Sequence, residues 1–267
     1  MIRPEHPAPG GTVPPPPPGR ALLILGGTTE GRETATALAA SNLRVISSLA
    51  GRVAAPRLPP GEVRTGGFGG PDGLAKYLSA ERISAVIDAT HPFAARITAN
   101  AVTACTRTGT PLLVLRRPPW TPVAGDRWTT VPDLAAAAMA LTAHGPDAAV
   151  LLTVGRQGVD AFSASPQRFW LRCVDPPETP LPARTELIRD RGPYSLDGEL
   201  DLMRRLSIDV LVTKNSGGPM TAAKLVATRE LHLPVIVINR PRLPLGVHLA
   251  PDVPAALSWA RSNGLSE

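Results

Sequence analysis

The stretch Ala21-Leu22-Leu23-Ile24-Leu25-Gly26-Gly27-Thr28-Thr29-Glu30-Gly31 decides the fold. Five apolar residues run into a glycine-rich turn, and a helical pattern follows over residues 30–40. A short apolar run feeding such a turn and then a helix is the opening of a βα unit. Gly26 permits the tight bend. The amides of Gly27, Thr28, Thr29, Glu30 and Gly31 follow it into the helix, whose positive dipole end favours a phosphate there. Thr28 occupies the third position of the G-x-G-x-x-G pattern, so the match is partial. An ordinary strand-to-helix turn is the alternative reading.

Outward from this unit the alternation continues. Strands are expected at residues 43–49, 62–65, 85–89 and 111–115, and helices at 71–80 and 93–107. Near-continuous apolar strands alternating with helices indicate a parallel sheet covered on both faces. Pro118, Pro119, Trp120 and Pro122 read as a domain junction. A second alternating set follows, with helices at 133–143, 196–206, 221–231 and 254–262. Its strands are expected at 149–154, 168–174, 185–189, 209–213 and 235–238. The fold expected is α/β, two Rossmann-like parallel-sheet domains with a cleft between them. Residues 1–19 form a proline-rich tail, 20–119 the nucleotide domain and 120–267 a substrate domain.

The end of the second strand separates the possible nucleotides. NAD sites place an acid about 20 residues beyond the glycines, to hold the ribose hydroxyls. Here no Asp or Glu occurs between Glu33 and Glu62, and the strand ends in Ser47-Ser48-Leu49-Ala50-Gly51-Arg52. Hydroxyls from Ser47 and Ser48 with the Arg52 fork suit a 2′-phosphate, so NADPH is the expected cofactor. Arg52 as a solvated loop charge is the bland alternative.

Ligands in doubly wound sheets sit past the carboxyl ends of strands, where the strand order reverses. The loop after the fourth strand reads Asp88-Ala89-Thr90-His91-Pro92-Phe93-Ala94. His91 and Thr90 are placed to face a nicotinamide, unless His91 merely bonds its own helix start. In the second set, Val154-Gly155-Arg156 ends one strand and Thr213-Lys214-Asn215-Ser216-Gly217-Gly218 ends another. The latter is an anion cradle with Lys214 as its point charge. Between them stands Gly192-Pro193-Tyr194-Ser195, with Ser195 expected as a helix cap.

Composition narrows the partners. Against 22 Asp and Glu there are 28 Lys and Arg, a net charge of +6, so an anionic partner is expected. Nucleic acid is disfavoured because the arginines are scattered and aromatics make up only 4%. Cys105 and Cys173 lack CxxC spacing and read as small buried hydrophobes in a reducing compartment, with no metal site. Apolar runs are too short to span a bilayer and no signal peptide is visible, so a cytoplasmic protein is expected. Nothing in the sequence fixes the oligomeric state, and a monomer is the working expectation.

Together these stretches resemble the precorrin-6A reductase family, of either the metal-free or the cobalt-substrate type. The resemblance rests on GGTTEG at 26–31, DATHPFA at 88–94, RRPPW at 116–120, GPYS at 192–195, TKNSGG at 213–218 with Lys224, and INRP at 238–241. It implies hydride transfer from NADPH to one carbon of a tetrapyrrole, with a proton added at its neighbour. His91, which titrates nearest neutrality, is then the first candidate proton donor, followed by Tyr194, with Lys214 close to the chemistry; bulk water is an equal alternative if the ring lies open to solvent. Arg116, Arg117, Arg156, Ser216, Gly217, Gly218, Lys224 and Arg240 would hold the carboxylates of the corrinoid precursor, with Arg242 nearby. A nucleotide-sugar transferase and a nucleotide-sensing regulator are the rival readings.

Overall fold

The computed structural model describes residues 20–41, 43–51 and 57–265. The first lobe begins β1 (Ala21–Leu25), α1 (Thr29–Ala39), β2 (Arg44–Leu49), β3 (Glu62–Thr65) and α2 (Pro71–Ala80). It continues with β4 (Ile83–Asp88), α3 (Ala95–Thr108) and β5 (Leu112–Leu115). The second lobe contains β6 (Trp128–Val131), α4 (Leu134–Ala140), β7 (Ala149–Thr153), β8 (Arg168–Cys173), β9 (Thr185–Arg189) and α5 (Leu196–Arg205). It is completed by β10 (Val210–Lys214), α6 (Ala223–Glu230) and β11 (Val235–Ile238). The chain then adds β12 (His248–Ala250) and α7 (Val253–Ser262).

All strand pairings are parallel. All five β1 residues are buried, because alternate side chains serve opposite faces. Leu22 and Ile24 join Leu38 and Ala256 on the α1/α7 face, whereas Leu23 and Leu25 join Leu74 and Ala104 on the α2/α3 face. The second sheet is sandwiched likewise, with Phe162 and Phe169 on one side and Met203 and Leu225 on the other. Cys105 and Cys173 are buried free thiols.

The two sheets have the same strand order, and the first takes its outermost strand from beyond the second lobe. The first reads β3-β2-β1-β4-β5-β12 and the second β9-β8-β7-β10-β11-β6. This corrects the division expected at residue 120. β12 returns from beyond the second lobe to pair with β5, and α7 packs on the first lobe's core. β6, which has no counterpart in the sequence reading, pairs with β11. The reason is geometric: β5 and β11 each end their sheet with an unpaired edge, and a short strand from the connecting segment covers each one. Residues 116–127 carry the chain from the first lobe to the second, and 239–247 carry it back. Asn239 N donates to Val131 O at 2.8 Å and Arg116 N to Ala250 O at 2.9 Å, so each crossover is anchored where it leaves its sheet.

Candidate active site between the two crests

The carboxyl ends of both sheets face each other. Phe93, leaving the crest of β4, packs against the second lobe's core, and Lys214 Nζ lies 5.6 Å from its ring centroid. Thr29 Oγ1 donates to Met220 Sδ across the same gap at 3.0 Å.

On the first crest, the glycine turn is built for close packing on one side and open space on the other. A Cβ at Gly31 would come 3.3 Å from Ala89 Cβ and 3.5 Å from Gly26 Cα, and one at Gly26 would sit 3.3 Å from Leu49 Cδ2. Gly27 has φ +115° and nothing within 4 Å of where its Cβ would be. The turn therefore exposes backbone beside the N-terminus of an eleven-residue helix, as a pyrophosphate requires. Thr28 does not contribute a free hydroxyl. It is buried, caps α1 by accepting from Gly31 N at 3.1 Å, and donates to Ala89 O at 2.7 Å. Thr29 Oγ1 also accepts from Arg32 Nη2 at 3.0 Å.

Glu30 faces the crossover rather than a ribose. Both its oxygens accept from Arg117 Nη1, at 3.0 and 2.9 Å. Arg117 Nε in turn donates to the carbonyls of Ser216 (2.9 Å) and Gly217 (3.0 Å), so one side chain ties the phosphate turn to the second crest. At the end of β2, Ser47 and Ser48 are buried; Ser48 Oγ accepts from Arg64 Nη1 at 3.1 Å, while Ser47 Oγ has no hydrogen-bond partner among the described residues. Arg52 lies outside the described residues. The fit to NADPH therefore rests on the Gly26–Gly27–Gly31 turn, the α1 N-terminus and the acid-free end of β2.

The β4 crest is locked by Asp88. Its Oδ1 accepts from Thr90 N (3.0 Å) and Thr90 Oγ1 (2.6 Å), and its Oδ2 from Thr98 Oγ1 (2.6 Å). That fixes the approach to His91, whose Nδ1 accepts from Phe93 N at 3.3 Å, so the neutral ring carries its proton on Nε2. Desolvation between the crests, then Arg117, Lys214, Arg240 and Arg116, push the imidazole pKa far down. His91 keeps an exposed edge toward solvent. His91, Thr90, Arg116 and Arg242 line a small pocket closed by residues 241–244 of the return crossover.

The second crest holds its cations differently. Lys214 Nζ donates to Val154 O at 2.6 Å, and burial lowers its pKa to about 8. Arg156 makes only a 3.7 Å pairing with the exposed Glu178 and is the freest of these cations. Arg240 commits four of its five N–H donors to the carbonyls of Asn215 (2.7 Å), Arg117 (2.7 Å), Pro118 (3.0 Å) and Ser216 (2.9 Å). Gly217 (φ +67°) and Gly218 (φ +78°) are glycines for the same reason. A Cβ on Gly217 would collide with Pro118 O at 2.1 Å, and one on Gly218 would meet Arg117 Cδ at 2.8 Å. Asn215 clamps Trp120, accepting from its N at 2.8 Å and donating to its O at 3.0 Å. The 213–218 loop is thus a seat for the crossovers, and only the cations at its rim remain for an anion.

Lys224, expected at the carboxylates, is instead buried beneath Trp120, 4.8 Å from its ring, with Nζ donating to Thr221 O at 2.9 Å. Burial lowers its pKa to about 7. Tyr194 stacks under Arg172 at 4.3 Å, Arg172 pairs with the buried Glu199 at 2.5 Å, and burial raises the Tyr194 phenol. Ser195 caps α5 as expected, accepting from Gly198 N at 3.2 Å. Thr98, Phe93 and Arg64 contribute here without having been sought in the sequence; the ten-residue spacing that brings Thr98 to Asp88 has no local signature.

With this geometry in view, the chain matches the family model "Precorrin-6x reductase CbiJ/CobK" over residues 21–261. It is 52% identical to a precorrin-6A reductase of Rhodococcus erythropolis, covering 88% of this chain and 95% of that one. A cobalt-precorrin-6A reductase of Methanothermobacter thermautotrophicus matches at 31%, over 65% of this chain and 60% of that one. The solved structure "CobK precorrin-6A reductase" superposes with a TM-score of 0.86 at 46% identity, covering 93% of this chain and 98% of that one.

Proposed function

The chain belongs to the precorrin-6x reductase CbiJ/CobK family, and on that premise we propose that it reduces precorrin-6A with NADPH in cobalamin biosynthesis. The observation that carries the proposal is the opposition of two unlike crests: an open glycine turn at a helix N-terminus, and across from it the group of cations around His91, with Lys214 and Arg116 foremost. Precorrin-6A is preferred over its cobalt form because the relative named for precorrin-6A is matched more closely and far more completely.

When bound, NADPH supplies the hydride that the reduction consumes. The chain's own residues orient and match charge. The Gly26–Gly31 turn and α1 would hold the pyrophosphate, and the end of β2 at Ser47 and Ser48, together with Arg52, would take the 2′-phosphate. Thr90, held by Asp88, would meet the nicotinamide. Arg156, Lys214, Arg116 and Arg242 receive the carboxylates of the macrocycle.

His91 has a particular part. Desolvation between the crests and four neighbouring cations keep its imidazole neutral in the free protein. Substrate carboxylates arriving among those cations offset them and raise the imidazole pKa, so His91 takes up a proton in the complex and donates it to the reduced ring. Tyr194, packed under Arg172, is a poorer donor.

The test is NADPH oxidation by the purified protein with precorrin-6A, cobalt-precorrin-6A or neither. Oxidation that depends on precorrin-6A is expected. Oxidation with NADH at equal efficiency would remove the 2′-phosphate assignment, and tight NADPH binding with no turnover on either substrate would favour a nucleotide sensor.

A further inference from the structure

The end of β2 holds a second arginine that sequence spacing does not single out. Arg64 sits on β3 directly across from Ser48 on β2, and its Nη1 donates to Ser48 Oγ at 3.1 Å. The ends of these two strands are bound into one ledge. Gly66 N donates to Leu49 O at 2.9 Å, and a Cβ on Gly51 would come 2.9 Å from Thr65 Cγ2. Gly51 immediately precedes Arg52, so Arg64 belongs to the same corner of the first crest.

Three features prepare this guanidinium for an anion. First, it is held flat: its carbon lies 3.8 Å above the Phe68 ring centroid and 5.2 Å from that of Tyr77, which supports Phe68 edge-on. Second, its donors are only partly committed. Nη1 donates to Ser48 Oγ and Gly66 O, and Nη2 to Gly67 O at 2.8 Å. Among the described residues this leaves Nε–H and one Nη2–H, which together form the side-on fork that pairs with two oxygens of a phosphate. Third, no carboxylate answers its charge among the described residues: Glu62 and Glu81, the acids of this edge, are both taken by Arg44, at 2.7 and 2.8 Å.

We propose that Arg64, seated on Phe68 and bonded to Ser48, is a specificity-determining residue that reads the 2′-phosphate of the nucleotide. The assignment rests on the NADPH reading above and deepens it: the phosphate is gripped from two adjacent strand ends, by a pre-set fork on β3 as well as from the β2 turn. A pre-positioned guanidinium loses little freedom on binding, which favours discrimination between nucleotides that differ by one phosphate.

Isothermal titration of the full chain with 2′,5′-ADP and with 5′-AMP tests it directly. The unaltered protein is expected to prefer 2′,5′-ADP. In Arg64→Gln that preference should fall by about tenfold to a hundredfold, the span of one charge-assisted contact, while 5′-AMP binding stays unchanged. Arg64→Lys, which keeps the charge but not the fork, should fall between the two and serves as the informative variant if the glutamine form does not fold. Equal weakening of both ligands would make Arg64 a mere brace for the 66–67 turn, and a preference left intact would place the discrimination on Arg52 alone. Either result overturns the assignment while leaving the NADPH reading standing. An unaltered protein that binds both ligands alike would overturn both.

Discussion

The two lobes share one strand order, yet their crests do opposite things. After β1, the chain makes an open glycine turn into an eleven-residue helix, and backbone amides with a helix dipole form the site. After β7, at the same place in the second sheet, Gly155 and Gly158 also take positive φ, but the chain enters only a four-residue 3-10 turn, Val159–Phe162. With too little helix to supply a dipole, that crest relies on side-chain cations, Arg156 and Lys214. On the proposed reading, identical topology serves two kinds of anion recognition, one by main chain and one by side chain, and function follows the site rather than the fold.

The largest effect that would sharpen this contrast is on stability. The second lobe buries an ion pair, Arg172–Glu199, at 2.5 Å and with both side chains nearly inaccessible. Removing one partner strands the other charge, so Glu199→Ala should cost on the order of 3–5 kcal/mol in a urea titration. A loss under about 1 kcal/mol would mean water reaches Arg172. The next effect is on chemistry: His91→Ala should lower turnover on precorrin-6A roughly a hundredfold or more while leaving the NADPH KM nearly unchanged. Unchanged turnover would assign the proton to solvent.

A paired glycine experiment addresses the crests themselves. Both Gly27 (φ +115°) and Gly155 (φ +75°) have empty space where a Cβ would go, so alanine brings only backbone strain. That strain is about 1–2 kcal/mol, enough to raise the KM for NADPH roughly tenfold in Gly27→Ala. Gly155→Ala should leave the NADPH KM alone and disturb only the macrocycle; equal effects on NADPH would abolish the distinction between crests.

A smaller, pH-dependent effect tests the side-chain crest. Burial lowers the Lys214 pKa to about 8, so its ammonium is present at neutral pH and is lost as pH rises through 8 and above. The KM for precorrin-6A should therefore climb by a few-fold over that range, and Lys214→Met should flatten the climb, whereas the NADPH KM should show no matching step. Least of all should the first lobe's surface pairs matter: Asp72→Ala, which frees Arg107 on the outside of α2 and α3, should change stability by no more than about 1 kcal/mol.

Much of the architecture was legible because apolar runs such as Leu22–Leu25 and Val235–Ile238 announce buried parallel strands, and glycine turns mark where they end. β6 and β12 were not legible. They are four and three residues long, sit among prolines and charges, and owe their conformation to the edges of β11 and β5 rather than to a pattern of their own. At the site, the same limit appears residue by residue. Thr28, Glu30, Arg117 and Arg240 have the right chemistry to hold ligands, but a hydroxyl that caps a helix or a guanidinium that collects carbonyls looks identical in sequence. Lys224 was expected at the surface of the cleft, and only the tertiary structure reveals Trp120 above it.

The return of β12 to the first sheet has a consequence for biogenesis. While the ribosome is still translating, the amino-terminal half can assemble β3-β2-β1-β4-β5 but must wait for His248–Ala250 to emerge before its last seam is sewn. Cutting the gene near residue 120 therefore leaves one fragment without its clasp and a sticky β5 margin, prone to recruit stray chains. The two halves mature as one object or not at all.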